Sequence, residues 1–261
     1  MLPEDRSVLS RPSSAPPVVV SYGDHVDQVA EVLPAGPHSP LVIVLHGGFW
    51  QERYDRAHCR GLAAELAGLG ATVVLLEYRR VGGGGGWPAT FDDVRLGVRK
   101  IVQHHSRASR RIVVGHSAGG HLALWLAATE PTPVVDAVVG LAPIADLTAM
   151  AKSFGGDENP VHDLLGGTPD SHPDRYDLAD PCTLPAPRAG VHLLHGMADT
   201  LVPIEQSLTY AGRHPGVVVT ELRCAHFELI DPRSGVFATV LGAVKAEVDA
   251  ASAAPRRSRP W

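Results

Sequence analysis

Runs of aliphatic and β-branched residues recur along the chain, separated by segments whose apolar positions fall three and four apart. Two early runs, Val18–Tyr22 and Gln28–Leu33, alternate and are joined by Gly23-Asp24, which predicts an antiparallel hairpin. Six later runs are almost continuously apolar: Leu41–Leu45, Thr72–Glu77, Ile112–Val114, Ala137–Leu141, Val191–Leu194 and Val217–Leu222. Strands of that kind suit a parallel sheet covered on both faces. Between them, Asp55–Leu69 carries Ala57, Leu62, Leu66 and Leu69 on one stripe and ends at Gly70, a C-cap signal. Phe91–His105 repeats the pattern with Val94, Val98, Ile101 and Val102, and the Ala/Leu-rich Ala118–Thr129 stops before Pro131. Ile204–Arg213 and Val236–Ala250 complete the helices. The alternation predicts an α/β fold: one eight-stranded, mostly parallel sheet with right-handed crossovers and helices on both faces.

One segment breaks the alternation. Residues 144–190 are rich in Pro, Gly, Asp and His and contain no clear strand. They read as a small cap inserted after the sixth strand, since a loop-rich insertion of that length usually serves a site as a lid. The run Gly82–Gly86 reads as a flexible, solvent-exposed loop. Residues 1–17 are polar and proline-rich, without the apolar stretch of a signal peptide, and are expected to be a flexible segment. Residues 18–250 form the domain, and the polar, basic residues 251–261 are expected to be a disordered tail.

Composition narrows the function classes. With 261 residues, 44% apolar and 20% charged, the chain can bury a full core without metal or disulfide support. A net charge of −5 gives a phosphate backbone nothing to grip, so no nucleic-acid partner is expected. No apolar run approaches the roughly 20 residues of a membrane span. The three scattered cysteines, Cys59, Cys182 and Cys224, suggest buried reduced thiols and a cytoplasmic setting.

The sharpest chemical signal is Gly115-His116-Ser117-Ala118-Gly119. A GxSxG arises by chance in roughly one chain in ten of this length, so context must carry it. Here it follows a predicted strand and opens a predicted helix, the strand-to-helix turn that lifts a serine hydroxyl clear of a sheet. A hydroxyl needs a base, and His226, just after the final strand, is the candidate among fourteen histidines. His116 is expected to pack beside the nucleophile, His121 to face the helix surroundings, and His195 to brace the acid loop. The orienting acid should lie between serine and histidine in the chain, which selects Asp199 after the seventh strand. Asp146, after the sixth strand, is the rival, with helix N-capping as its alternative role.

A fourth element is His46-Gly47-Gly48-Phe49-Trp50, directly after Leu41–Leu45. Acyl transfer builds negative charge on a carbonyl oxygen, and preset backbone N–H groups stabilise it. Gly48, Phe49 and Ala118 are the expected donors, with His46, Gly47 and Trp50 supporting the loop.

The His46–Trp50 stretch resembles the HGGxW signature of kynurenine formamidases (arylformamidases). From Leu41 to about Leu241 the chain is similar to the carboxylesterase and hormone-sensitive-lipase-like branch of the α/β hydrolases. The resemblance implies the α/β-hydrolase fold and hydrolysis of a small-molecule formamide or ester through an acyl-enzyme, without metal or organic cofactor, by a monomer or homodimer. An arylformamidase would convert N-formylkynurenine to kynurenine and formate. The alternatives are a general carboxylesterase, a feruloyl-esterase-like enzyme, or a non-catalytic binding member of the fold.

Overall fold

In the computed structural model, residues 4–12, 18–130, 134–154 and 158–253 are described. Eight strands make one sheet: β1 (Val18–Ser21), β2 (Val29–Leu33), β3 (Leu41–Leu45), β4 (Thr72–Leu76), β5 (Arg111–His116), β6 (Ala137–Leu141), β7 (Gly190–Gly196) and β8 (Val218–Leu222). Their order is β1-β2-β4-β3-β5-β6-β7-β8. The hairpin β1–β2 joins β4 antiparallel, and every later pairing is parallel.

Successive side chains of a strand point to opposite faces, so continuous apolar runs feed two cores at once. Leu41, Ile43, Leu45, Val74, Leu76 and Val113 face helices α2 (Ala89–His104) and α3 (Ala118–Thr129). Val42, Val44, Val73, Leu75, Ile112 and Val114 face α1 (Arg60–Ala67) and α8 (Phe237–Ala253). Helix α7 (Glu205–Arg213) follows β7. The stretch predicted as one helix from Asp55 divides into a 3-10 turn, Arg56–Cys59, and α1, with Asp55 capping the turn through Ala57 N–H.

Helix α3 is buried on all sides from Ala118 to Leu126. A helix that is apolar all round must be covered on its outer face too. The segment between β6 and β7 provides that cover with three short helices: α4 (Leu147–Ser153), α5 (Pro160–Leu165) and α6 (Pro173–Ala179). Trp125 Nε1–H donates to the Leu178 carbonyl at 3.0 Å and His121 Nε2–H to Ala179 at 3.0 Å.

Two expectations differ from the structure. The glycine run is a folded turn: Gly83 and Gly85 N–H donate to Arg80 O, and Gly86 N–H donates to Thr90 Oγ1. A Cβ on Gly85 would lie 2.4 Å from the Arg79 carbonyl, so close backbone approach explains that glycine. Residues 4–12, read as flexible, dock on the domain. Ser7–Ser10 forms a 3-10 turn, Val8 is buried, and Arg11 pairs with Asp231. The pairing partner lies 220 residues away, which local composition could not reveal. Of the tail expected over residues 251–261, residues 251–253 belong to α8, and 254–261 lie outside the described residues.

Candidate active site

Strand β5 runs into α3 with Ser117 alone between them, at φ 55° and ψ −118°. A non-glycine residue in that region costs on the order of 1–3 kcal/mol and persists only where its surroundings over-determine it. Ser117 N–H donates to Leu141 O at 2.9 Å, and its carbonyl accepts from His121 N–H at 3.0 Å. The turn leaves no room for side chains beside it. A Cβ on Gly119 would sit 2.1 Å from Leu45 O, and one on Gly115 would sit 2.4 Å from Gly119 O.

Asp199 and His226 come from loops after β7 and β8. Asp199 Oδ1 accepts from Leu201 and Val202 N–H at 2.9 and 2.8 Å, which fixes the carboxylate plane. Its Oδ2 accepts from His226 Nδ1–H at 2.6 Å. Burial pushes the Asp199 carboxyl up, but His195, His226 and Val202 N–H outweigh it and hold it well below the usual carboxylate range. The aspartate is therefore ionised, and it fixes the His226 tautomer with Nε2 free of a proton. His226 and Ser117 are both buried and line one cavity of about 40 Å³.

The third part is the loop after β3. Gly48, Phe49 and Trp50 have φ values of 118°, 49° and 58°. A Cβ on Gly48 would lie 2.4 Å from Tyr54 Cβ. Among the described residues, the N–H groups of Gly48, Phe49 and Ala118 meet no protein acceptor. Gly48 and Phe49 line the cavity beside Ser117, and Ala118 opens α3. The arrangement can receive a carbonyl oxygen that turns anionic.

Two strained residues need anchoring, and the anchors lie below the loop. The His46 ring stacks on Tyr78 at 4.5 Å, and Tyr78 O–H donates to His46 O at 2.7 Å. His46 Nε2–H donates to Glu77 Oε1 at 2.7 Å. Glu77 also accepts from Arg56 N–H and Tyr78 N–H and pairs with Arg80 at 2.8 Å. Trp50 is fully buried, edge-on to His121 at 5.1 Å. Phe49 meets Phe154, from the segment after β6, at 5.6 Å.

The remaining histidines are placed as follows. The His116 ring lies 4.5 Å from that of His226, and its Nε2–H donates to the His226 carbonyl at 3.3 Å. Burial, then the neighbouring His226, holds His116 well below its ordinary range, so it is neutral. His195 Nε2–H donates to Val202 O while Nδ1 accepts from Ser207, bracing the loop that carries Asp199. Asp146 caps α4 through Ala149 N–H at 2.7 Å and lines a different cleft from Ser117.

Sequence reasoning missed Glu77 and the N-terminal residues. An acid closing an apolar strand, Thr72–Glu77, was the available cue for the first. Glu4 carries no local cue: its carboxylate accepts from His226 N–H at 3.0 Å and from Thr200 N–H at 3.1 Å. Arg6 and Leu9 line the cavity. The segment 144–190, expected to shape the pocket, contributes none of the described lining residues; it covers α3 instead. Among the described residues no cluster of His, Cys, Asp and Glu could hold a metal ion, and no helix is long and apolar enough to cross a membrane.

Comparison with known proteins agrees with this architecture. A kynurenine formamidase of Danio rerio is 35% identical over 116 residues, 43% of this chain and 39% of that protein. The esterase LipC of Mycobacterium tuberculosis is 28% identical over 220 residues, 74% of this chain and 54% of that protein. The chain thus spans between two fifths and about half of the length of these relatives. A truncated carbohydrate esterase from gut microbiota superposes with a TM-score of 0.76 at 20% identity, covering 90% of this chain and 95% of that one. The profile of the BD-FAE family matches residues 33–213, which include the strained loop after β3, Ser117 and Asp199. On that match, and with the eight-stranded sheet described above, the chain belongs to the BD-FAE family of α/β hydrolases.

Proposed function

We propose that this chain hydrolyses small-molecule esters or amides through an acyl-enzyme formed on Ser117. The observation that carries the reading is the 2.6 Å contact of His226 Nδ1 with an ionised Asp199, with His226 lining one cavity together with Ser117 and with Gly48 and Phe49, whose backbone N–H groups are unpaired. In the first step Ser117 Oγ attacks the substrate carbonyl carbon while His226 Nε2 takes its proton. Asp199 balances the imidazolium that forms. The carbonyl π electrons move to oxygen, and the N–H groups of Gly48, Phe49 and Ala118 receive that charge. The tetrahedral species then expels the leaving group, which takes the proton from His226. Water repeats the sequence on the acyl-enzyme: His226 removes its proton, the acid departs, and Ser117 Oγ is reprotonated.

Within that class an arylformamidase-like specificity is favoured. The matched relatives include kynurenine formamidases. A short-chain carboxylesterase is the second reading, favoured by the esterase relatives. The test compares kcat/KM for N-formylkynurenine and for p-nitrophenyl acetate, with Ser117→Ala as the blank. Formamide turnover that disappears in Ser117→Ala supports the first reading, and ester turnover alone supports the second. Undiminished turnover in Ser117→Ala would refute both.

A further inference from the structure

The N-terminal stretch is clamped at two points, and the residues between the clamps become part of the site. At one end Glu4 bridges the two catalytic loops: it accepts from Thr200 N–H and Oγ1–H, next to Asp199, and from the N–H of His226 itself. At the other end Arg11 makes a two-pronged pair with Asp231. Between them Val8 is 5% exposed against the core on the α1 and α8 face. A 3-10 turn closed by Leu9 N–H on Arg6 O, at 3.0 Å, sets Arg6 and Leu9 over the cavity that holds Ser117 and His226.

Charge in that cavity is unequally distributed. Arg6 is the one permanently charged side chain among the described lining residues, and no carboxylate lines the cavity. Burial holds His58 down to about 4 and His116 well below its ordinary range, so both are neutral beside it. The other arginines nearby are engaged: Arg11 with Asp231, Arg56 with Glu31 and Glu77, and Arg53 over the Tyr54 ring. The carboxylates closest to Arg6 in sequence are also taken. Glu4 holds backbone N–H groups, and Asp5 accepts from Ser7 N–H at 2.9 Å. Among the described residues the Arg6 guanidinium has no hydrogen-bond or ion-pair partner. It is an exposed five-donor fork at the mouth of a neutral cavity, held there by residues on either side.

We propose that Arg6 is a specificity-determining residue that selects substrates bearing a carboxylate, by pairing with that anion while the scissile carbonyl rests against Ser117. The inference rests on the acyl-hydrolase reading above and narrows its substrate class to anionic esters and amides. The planar guanidinium matches a carboxylate two bonds at a time. Because Arg6 is exposed, the contribution is modest and screened by salt, about fivefold in selectivity at low ionic strength.

The experiment measures kcat/KM for 3- and 4-acetoxybenzoate against the corresponding acetoxybenzamides, which match them in shape without the charge. Wild type, Arg6→Gln and Arg6→Lys are compared at low and high salt. The expected result is a carboxylate-to-amide ratio that falls about fivefold in Arg6→Gln and recovers in part in Arg6→Lys. The wild-type ratio should also decline with salt while that of Arg6→Gln stays flat. A ratio in Arg6→Gln equal to wild type at low salt overturns the proposal. Calorimetry with 3- and 4-hydroxybenzoate and the matching hydroxybenzamides on Ser117→Ala, with and without Arg6→Gln, reads the same contact without turnover. Failure of wild type to cleave any of the esters would thus count against the short-chain esterase reading, while the binding ratios still decide the role of Arg6.

Discussion

Replacing Glu77 with glutamine tests whether the strained loop after β3 is held from below. Glu77 is 1% exposed at its side chain and lies against His46, Arg56 and Arg80. Burial alone would raise its carboxyl, yet His46, Arg80 and Arg56 N–H outweigh the loss of solvent and bring it down to about 2 from an ordinary 4.5. A depressed carboxyl stabilises the fold above its unfolded value, and the contribution disappears as pH falls through the folded one. The gap corresponds to about 3 kcal/mol, fully present above pH 5 and lost on the way to pH 2. Removing one partner from a buried charge network independently suggests about 3–5 kcal/mol. Glu77→Gln should therefore lower the urea-unfolding free energy by about 3 kcal/mol at pH 7, with wild type and variant converging as pH drops toward 2. Catalysis should suffer beyond stability. Phe49 and Trp50 sit at positive φ shortly after His46, so loosening His46 is expected to displace the N–H donors, and a displaced donor costs about 10²-fold in kcat. A stability difference under about 0.5 kcal/mol that does not change with pH would refute the reasoning.

Three further variants separate the two carboxylates and test the N-terminal stretch. Asp199→Asn should cut kcat by about 10⁴-fold, because the amide no longer selects the reactive His226 tautomer. Asp146→Asn should leave turnover near wild type, since asparagine caps a helix as well as aspartate does; the opposite ranking in steady-state kinetics would assign the acid role to Asp146. Glu4→Gln places an NH₂ group where one of three donors expects an acceptor. It should cost about 1 kcal/mol in denaturant unfolding and raise KM more than it lowers kcat. Equal stability and unchanged KM would show that the N-terminal stretch does not hold the site.

Much of this protein was legible from the chain. Continuous apolar runs marked the parallel strands: five of them, β3 to β7, are buried because a sheet covered on both faces has no polar side, while the sixth, β8, is the half-exposed edge. The Ala118–Thr129 helix was predicted to the residue, since Ser117 and Pro131 bracket it. Ser117, Asp199 and His226 were selected by their places after successive strands, and the structure brings Asp199 against His226 and places Ser117 and His226 in one cavity.

Tertiary structure decided what sequence periodicity cannot encode. Periodicity reports which side of an element is buried, not which distant segment buries it. The residues 144–190 announced an insertion, but only the fold shows that they cover an all-apolar α3 and leave the cavity walls to others. The five glycines looked like slack chain, whereas the backbone of Arg79 and Arg80 packs against the turn they form. Glu77 closed a strand without revealing that His46, Arg56 and Arg80 converge on it. Most of all, Glu4 and Arg6 sat in a stretch whose composition reads as flexible. Their order comes from contacts with Thr200, His226 and Asp231, roughly 200 residues away along the chain, and ionic and hydrogen-bonding partners at such separations leave no periodic trace in a sequence.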